Sequence, residues 1–528
     1  MLWFSLLTII MAQLCLVEEF RRRLMILQQN SYRNERYRRW LDTSQDSTSV
    51  RRLVSGAVLL ASLSTLSAPV VSLCLIFAVS FLNWVELKTA IYKKPLVMTK
   101  RASRIFAVMA LLELVVVGVV ASFTAKGGAW REAVAVSILF CYCFSHCLVL
   151  AANWLLKPVE NHINKGFYDD AVRILRSMPR LKIIGVTGSY GKTSTKHYLH
   201  RILSEHFDVA MTPGSFNTTL GVIRTIRENL KPYNEIFIVE MGAKQNGDIK
   251  EICDLVHPRI GIVTAVGPQH LESFKTIENV QKTKFELVDA LPEDGLAVVN
   301  NDFPYIASRK VDNTECIRYA VTEPDKAQYT ATDLRYSPSG TDFTVKGPDG
   351  LSETYHTRLV GECNVSNLLA AIIVAHRLGV PAEKIRYAVG QIEQVEHRLN
   401  MKRTPGGITI IDDAYNSNPT GSGMALDVLS MMGPGKRIVV TPGMIELGER
   451  QEELNREFGK KIATRADIAV IVGEYNREAI VSGIESVETR SAEIRTVDSF
   501  ADSQKLLATL LKDGDTVLYE NDLPDTFK

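Results

Sequence analysis

Apolar and polar residues are distributed unevenly along the chain, and the unevenness divides it. Four apolar stretches precede residue 160, at 2–17, 53–87, 104–123 and 134–156. A helix needs about 20 apolar residues to cross a bilayer core, so each stretch other than 53–87 predicts one span. The stretch 53–87 is far longer and is interrupted at Ser67-Ala68-Pro69, which predicts a tight hairpin of two short spans. Basic segments flank it. Residues 21–52 carry Arg21, Arg22, Arg23, Arg33, Arg36, Arg38, Arg39, Arg51 and Arg52, and residues 88–104 carry Lys88, Lys93, Lys94, Lys100, Arg101 and Arg104. Such segments stay in the cytosol, so an even number of crossings separates them. Five spans with the N-terminus outside satisfy this and return the chain to the cytosol before Lys157-Pro158. A single tilted helix over 53–87 is the alternative, and it breaks the charge rule. The positive charges follow the first apolar stretch, which therefore reads as an anchor and not as a signal peptide. Glu86 falls at the interface and Glu113 inside a span, where a carboxylate is a candidate functional group.

Residues 1–156 thus predict a multi-span α-helical membrane domain. Residues 157–181 predict an amphipathic linker helix, with Val159, Ile163, Phe167, Ala171, Ile174 and Leu175 on one face and an end near Pro179. From there the pattern becomes short apolar strands alternating with helical periods, which predicts a parallel α/β sheet. The first strand, Leu181-Lys182-Ile183-Ile184-Gly185-Val186, runs into a glycine-hinged turn ending in Gly191-Lys192-Thr193. Backbone N–H groups in such a turn, at a helix N-terminus, form an anion-binding nest. Lys192 would reach terminal phosphates and the Thr193 hydroxyl a Mg²⁺ ion. The spacing is a variant of the strict phosphate loop, with Gly188 two residues before Gly191. Two further buried-type strands end in cation-competent residues, Glu240 after 235–239 and His270 beyond 260–266. Ligands of parallel sheets sit at such strand ends. The glycine-flanked loop 214–221 either closes over a substrate or caps the next helix. Lys282 and Lys284 lie on helix 277–291, where a solvated face is the plain reading.

Composition changes little. The 528 residues carry a net charge of +2, with no basic stripe in the last two-thirds, which predicts no nucleic-acid partner. Mean hydropathy of +0.03 reflects the apolar first third. Of eight cysteines, five lie there, and none forms a C-x-x-C pair. Cys143 and Cys147, near His146, read as small apolar packing on one helix face.

The ordered motifs T-G-S-Y-G-K-T-S (187–194), V-E-M-G (239–242), H-L-E-S-F (270–274), K-T-K-F-E (282–286), N-V-S-N-L-L-A-A (364–371), E-H-R-L (396–399), D-D-A-Y-N-S-N-P (412–419) and G-M-I-E-L-G (443–448) resemble the Mur ligase family. This is a family of ATP-dependent amide-bond formers in cell-wall precursor synthesis. Within it, the likeness is greatest to the branch that adds D-alanyl-D-alanine to a muramoyl tripeptide. The resemblance implies a central P-loop ATP-binding domain over 182–400 and a Rossmann-like C-terminal domain over 401–528. It implies that Gly188, Ser189, Gly191, Lys192, Thr193 and Ser194 hold ATP phosphates, and that Asn364 and Asn367 lie at the adenine. Arg398, Asp413 and Asn416 would meet the nucleotide when the C-terminal domain closes. Thr193, Glu240, His270 and a carbamylated Lys284 would hold Mg²⁺, with Lys192, His270 and Lys284 as the catalytic set. The implied chemistry activates a carboxylate as an acyl phosphate, which an amine then attacks.

The chain departs from the family's pattern in places. The domain that grips the uridine nucleotide is not visible, and the predicted spans occupy its place. A basic K-G-S-R stretch after the last strand is replaced by Val517-Leu518-Tyr519-Glu520-Asn521-Asp522-Leu523-Pro524. Position 363, often histidine, is Cys363, and loop 214–221 lacks a second asparagine after Asn217. Three functions compete. The first is an amide ligase at the cytoplasmic membrane, its catalytic domains in the cytosol, acting on a carboxylate-bearing envelope precursor that is lipid-linked or delivered at the membrane. The second is a conventional muramoyl-tripeptide ligase that is merely anchored. The third is a non-catalytic membrane scaffold or nucleotide switch.

Overall fold

A computed structural model describes residues 2–44, 46–64, 69–92, 94–125, 130–337, 340–414 and 417–522. The chain forms two compact units, which divide after Lys165.

The first unit is helical. Its elements are α1 (Leu2–Gln29), α2 (Asn34–Thr43), α3 (Val50–Ser64), α4 (Pro69–Thr89), α5 (Lys100–Thr124), α6 (Trp130–Cys143) and the start of α7 (Ser145–Arg176). α1 packs against α4 and α6, α3 against α4, and α5 against α6. Leu16, Phe20, Leu24, Leu73, Ile76, Ile105 and Met109 fill the centre. Leu7, Ile10, Leu60, Val71, Leu82, Leu114 and Phe123 stay exposed on the outer faces. Helices apolar on both faces suit a surrounding of low polarity. Among the described residues, α1, α4 and α5 are long and apolar enough to cross a membrane, and α6 with α7 pass that test together.

The predicted helices differ from these in three respects. Residues 134–156 are not one helix, because α6 and α7 meet at a 74° bend. At the bend, Arg52 Nη1 donates to the carbonyls of Tyr142 (2.8 Å) and Cys143 (2.9 Å), satisfying the open end of α6. Cys143 and Cys147 therefore sit on different helices. Nor is 157–181 a separate linker, since α7 continues through Pro158 to Arg176. The predicted pair of short spans over 53–87 corresponds to α3 and α4, with Ser67 and Ala68 outside the described residues. Of the two only α4 is long and apolar enough to cross a membrane, so the described residues offer three or four spans and not five.

The second unit holds two sheets. The first joins β1 (Lys182–Thr187), β2 (Val209–Met211), β3 (Ile236–Glu240), β4 (Ile260–Val263), β5 (Leu296–Asn300), β6 (Glu315–Ala320), β7 (Tyr329–Ser337), β8 (Gly340–Lys346) and β9 (Ser352–Thr357). Their order is β2-β3-β1-β4-β5-β6-β7-β8-β9, parallel as far as β7 and antiparallel beyond. Ile184, Val186, Ile236, Ile238 and Ile262 are buried against helices, which explains why these strands read as continuous apolar runs. The second sheet has β10 (Asn400–Arg403), β11 (Thr409–Asp413), β12 (Arg437–Thr441), β13 (Ile468–Val472), β14 (Glu493–Val497) and β15 (Thr516–Glu520). Its order is β10-β11-β15-β12-β13-β14, with only the edge strand β10 antiparallel. In both sheets the functional candidates lie at or just beyond the C-terminal ends of parallel strands.

Candidate active site

The first turn after β1 sets the geometry. Gly188 and Gly191 adopt positive φ (+153° and +80°). A Cβ on Gly188 would lie 2.0 Å from Thr264 Oγ1, and one on Gly191 would lie 2.4 Å from Asn367 Oδ1. The turn is thus held against β4 and against the helix Glu362–Arg377, and only glycine fits either position. Ser189 N–H donates to the Ala265 carbonyl (2.8 Å) and Ser189 Oγ to that of Gly267 (3.1 Å). Helix α8 (Lys192–Leu203) opens from Gly191. Lys192 folds over the turn, its Nζ donating to the carbonyls of Gly188 (2.6 Å) and Ser189 (3.1 Å). Burial pulls its ammonium down to about 8, against the attraction of Glu240.

Glu240, at the end of β3, accepts from Thr193 Oγ1 (3.2 Å) and Asn217 Nδ2 (3.1 Å) on one oxygen. Its other oxygen lies 2.9 Å from Lys196 Nζ. Burial alone would raise this carboxyl, but Lys196 and Lys192 outweigh it and hold the pKa below the usual range. Thr193 and Glu240 therefore already converge as two oxygen donors suited to Mg²⁺. The loop 214–221 fills the helix-capping role of its two predicted ones and also contacts the site. Thr218 caps the helix Thr219–Glu228, while Asn217 and the Gly214 carbonyl, which accepts from Lys196, reach into the site.

His270, which would complete the predicted cation set, turns its Nδ1 to Glu446 of the second sheet's loops. Burial lowers the imidazole pKa, so the ring is neutral near pH 7 and donates Nδ1–H to the carboxylate. Burial opposes ionisation of Glu446, yet that hydrogen bond and Lys244 hold it down at about 2. Both residues have positive φ, +53° and +61°, a strain found where side chains are held for a task. Lys284, on the helix Ile277–Asp289, is 2 % exposed, and burial followed by repulsion from Lys192 takes its pKa well below the ordinary lysine value. It is a buried amine whose ammonium form is disfavoured, not part of a solvated face.

A cavity of about 100 Å³ gathers the remaining candidates. Gly191, Ser194, Asn364, Asn367, Arg398 and Asp413 line it, with Tyr190, Asn300, Phe303 and Cys363. Asn364 is held in place, donating to the Val360 carbonyl (2.8 Å) and accepting from Tyr198 Oη (2.8 Å). Asn367 accepts from Thr195 Oγ1 (3.1 Å). Asp413 ends β11 and accepts from the Leu399 N–H (3.1 Å). Burial raises its carboxyl to about 6, with Arg398 pulling the other way, and burial with Asp413 raises the neighbouring Glu520 well above the carboxylate range. Glu520 is fully buried and accepts from Ser417 Oγ. Asn416 lies outside the described residues. A second cavity, of about 690 Å³, opens beside Thr193 and is lined by His197, His200, Arg201, Ser215, Gln394 and Arg398.

Sequence reasoning passed over Lys196, Glu446 and Glu520 as site residues. Lys196 was legible as one helical turn beyond Lys192. Glu446 lies within a motif that already carried the resemblance.

Comparison with known proteins agrees with this geometry. Residues 186–375 match the family described as Mur ligase middle domain, and residues 397–519 that described as Mur ligase, glutamate ligase domain. The UDP-N-acetylmuramoyl-tripeptide–D-alanyl-D-alanine ligase of Bacillus subtilis is 31 % identical over 314 residues, 58 % of this chain and 67 % of that protein. The enzyme of the same name from Mycobacterium tuberculosis H37Rv is 31 % identical over 370 residues, covering 64 % and 70 %. Among solved structures, MurF from Acinetobacter baumannii has a TM-score of 0.61 at 25 % identity, over 67 % of this chain and 77 % of that one. MurF ligase from Thermotoga maritima in complex with ADP has a TM-score of 0.60 at 26 % identity, over 68 % and 80 %.

Proposed function

The chain belongs to the Mur ligase family and is an ATP-dependent amide ligase, and from that premise we propose that it adds a D-alanyl-D-alanine-type dipeptide to the terminal carboxylate of a muramoyl tripeptide. The observation that carries this reading is that Gly191 and Ser194 of the phosphate turn line one cavity with Asn364, Asn367, Arg398 and Asp413, while the adjoining Thr193 meets Glu240. Gly188, Ser189, Gly191 and Ser194 would hold the phosphates through the turn. Lys192 would exchange the two carbonyls it now contacts for phosphate oxygens, a better partner for an ammonium. Asn364, Asn367, Arg398, Asp413 and Asn416 would hold the nucleoside. The converging oxygens of Thr193 and Glu240 fit Mg²⁺, whereas His270 is engaged by Glu446 and would have to turn to join them. The ion would neutralise charge that develops between carboxylate and phosphate. The buried Lys284 amine, its ammonium form disfavoured, would add carbon dioxide with loss of a proton, giving a carbamate anion that would face the same cations. The larger cavity beside Thr193, with His197, His200, Arg201 and Arg398 on its walls, suits a carboxylate-bearing peptide.

A second reading, favoured by the apolar helices α1, α4 and α5 ahead of the matched residues, is that the ligase sits on the cytosolic face of the cytoplasmic membrane and takes a lipid-linked acceptor. The full chain in detergent is assayed for ADP release and, by mass spectrometry, for the new amide. Turnover of the soluble nucleotide-linked tripeptide with D-alanyl-D-alanine supports the first reading. Turnover of only the lipid-linked tripeptide supports the second. No amide from either acceptor overturns both.

A further inference from the structure

The helical unit buries far more charge than an anchor requires. Glu19 and Arg23 of α1 are fully buried and hydrogen-bonded to each other. Glu19 also accepts from Arg52 and from Ser145 Oγ (3.1 Å), and Asp46 accepts from Arg22 and Arg23. Four guanidinium groups, those of Arg22, Arg23, Arg51 and Arg52, thus share two buried carboxylates. The partners are divided unequally. Arg23 is fully engaged by Glu19, Asp46 and Tyr37, and Arg52 meets Glu19, Ser145 and the last carbonyls of α6, leaving its Nε without a hydrogen-bond partner. Arg22 keeps a buried Nη1 with no hydrogen-bond partner. The Arg51 guanidinium forms no hydrogen bond among the described residues; its nearest carboxylates are Glu19, whose Oε2 lies 3.7 Å away and accepts no hydrogen bond, and the exposed Glu86 at 3.9 Å. Buried cations without matched anions are costly, so this excess calls for an anion from outside the chain.

The two under-used guanidiniums open on the same groove. It has a volume of about 440 Å³; Arg22, Arg51, Asp46, Ser49, Asn83 and Glu86 give it its polar lining, and Val54, Val79 and Leu82 are among its apolar residues. Leu82 is 67 % exposed, although it lies midway along an apolar helix. The charged residues fall where the apolar stretches stop. They occupy the last part of the α1 apolar run, the start of α3 and the end of α4, where Lys88 pairs with Glu18 at 2.8 Å. In a bilayer that is the level of lipid phosphates. We propose that this groove binds the phosphate or diphosphate head of a membrane lipid, with Arg22 and Arg51 on the phosphoryl oxygens and the hydrocarbon chain along Val54, Val79 and Leu82. Arginine forks match phosphoryl oxygens in pairs, and the apolar wall distinguishes an amphiphile from free phosphate. The proposal rests on the membrane reading above but not on the choice of ligase substrate.

The test is equilibrium binding to the full chain in non-ionic detergent micelles. The probes are a long-chain polyprenyl diphosphate, dioleoyl phosphatidylglycerol, zwitterionic dioleoyl phosphatidylcholine and inorganic pyrophosphate. The expected result is saturable binding of one or both anionic lipids at least tenfold tighter than of phosphatidylcholine or pyrophosphate. Preference for the polyprenyl diphosphate would identify a lipid-linked precursor as the source, and equal binding a membrane phospholipid. Arg51→Gln and Arg22→Gln each lower anionic-lipid affinity about tenfold, while Arg51→Lys keeps most of it. In the unaltered chain, a photoactivatable anionic lipid labels peptides of α3 and α4, a readout independent of any variant's folding. Equal binding of phosphatidylcholine, pyrophosphate bound as tightly as lipid, or labelling confined to other helices overturns the proposal. None of these readouts requires turnover, so failure of the ligase reading leaves them interpretable.

Discussion

Removing the Glu446 carboxylate tests whether the two sheets of the catalytic unit act together. Glu446 joins the loop after β12 to the segment after β4 through His270, with Lys244 3.4 Å away and the Glu446 carbonyl accepting from the Glu272 N–H at 3.2 Å. A hydrogen bond to a charged acceptor contributes about 1.5–3 kcal/mol. The carboxylate is 30 % exposed, so water screens part of this, and about 1–2 kcal/mol remains for holding the closed arrangement. Glu446→Ala is therefore expected to lower kcat/KM by about 5- to 30-fold. The backbone contact at Glu272 persists, so the loss should stop short of inactivation. Small-angle scattering of the detergent-solubilised chain should show a more expanded catalytic unit in the absence of nucleotide. The pH behaviour has a definite sign. Burial opposes ionisation of Glu446, but His270 and Lys244 depress its folded pKa to about 2. Its contribution is thus complete above the ordinary value near 4.5 and fades as pH falls towards 2. The acid-dependent part of closure should disappear in Glu446→Ala. A variant with kcat/KM within twofold of the parent and unchanged scattering would refute the reasoning.

Two other substitutions probe the buried ionisable groups. Lys284→Arg introduces a permanent cation that cannot form a stable carbamate, so ligase activity should fall by about 100-fold or more, and the carbamate ¹³C resonance expected with labelled bicarbonate should vanish; a persisting resonance would place the modification elsewhere. Glu520→Gln should stabilise the protein by about 1–3 kcal/mol at pH 8 and much less at pH 5, read by thermal unfolding. Burial raises both Asp413 and Glu520, so their favourable contribution is present below the ordinary carboxylate pKa and is lost as pH rises through the folded values. A stabilisation larger at pH 5 than at pH 8 would mean that burial does not raise the two carboxyls as described.

Much of the catalytic unit was legible because its signals are local. A strand, a glycine turn and a helix are contiguous in 182–203, and the positive φ of Gly188 and Gly191 expresses a contact that only glycine allows. The residues passed over act across the chain. Glu446 meets His270 over 176 positions, and Ser417 meets Glu520 over 103. No periodicity reports such a pairing. Lys284 shows the limit most clearly, because a lysine on a helix reads as solvated until the neighbouring helices are known to cover it. In the helical unit hydropathy located the helices, but the bend at Phe144 escaped it. That bend depends on Arg52, more than 90 positions earlier, satisfying the carbonyls that end α6. Apolar composition is the same on both sides of it.

The charge arrangement explains why several lysines are tolerated in one interior. Lys196 and Lys284 are almost fully buried, and Lys192 lies close enough to repel Lys284, yet Glu240 is the one carboxylate that faces both Lys192 and Lys196. The fold meets this imbalance in three ways. Glu240 pairs directly with Lys196. Lys192 turns to two backbone carbonyls, contacts weaker than those an anion would provide. Lys284 holds its proton less tightly, since an ammonium there is desolvated and then repelled by Lys192. Each response leaves a specific demand. Lys192 gains by meeting phosphate oxygens, and Lys284, whose ammonium form is disfavoured, is the member of the set best able to add carbon dioxide as a free amine. Protonating Lys284 would oppose carbamate formation, which needs the amine lone pair. The depressed pKa of this one amine therefore favours that reaction, and its basis is the helix packing that buries it.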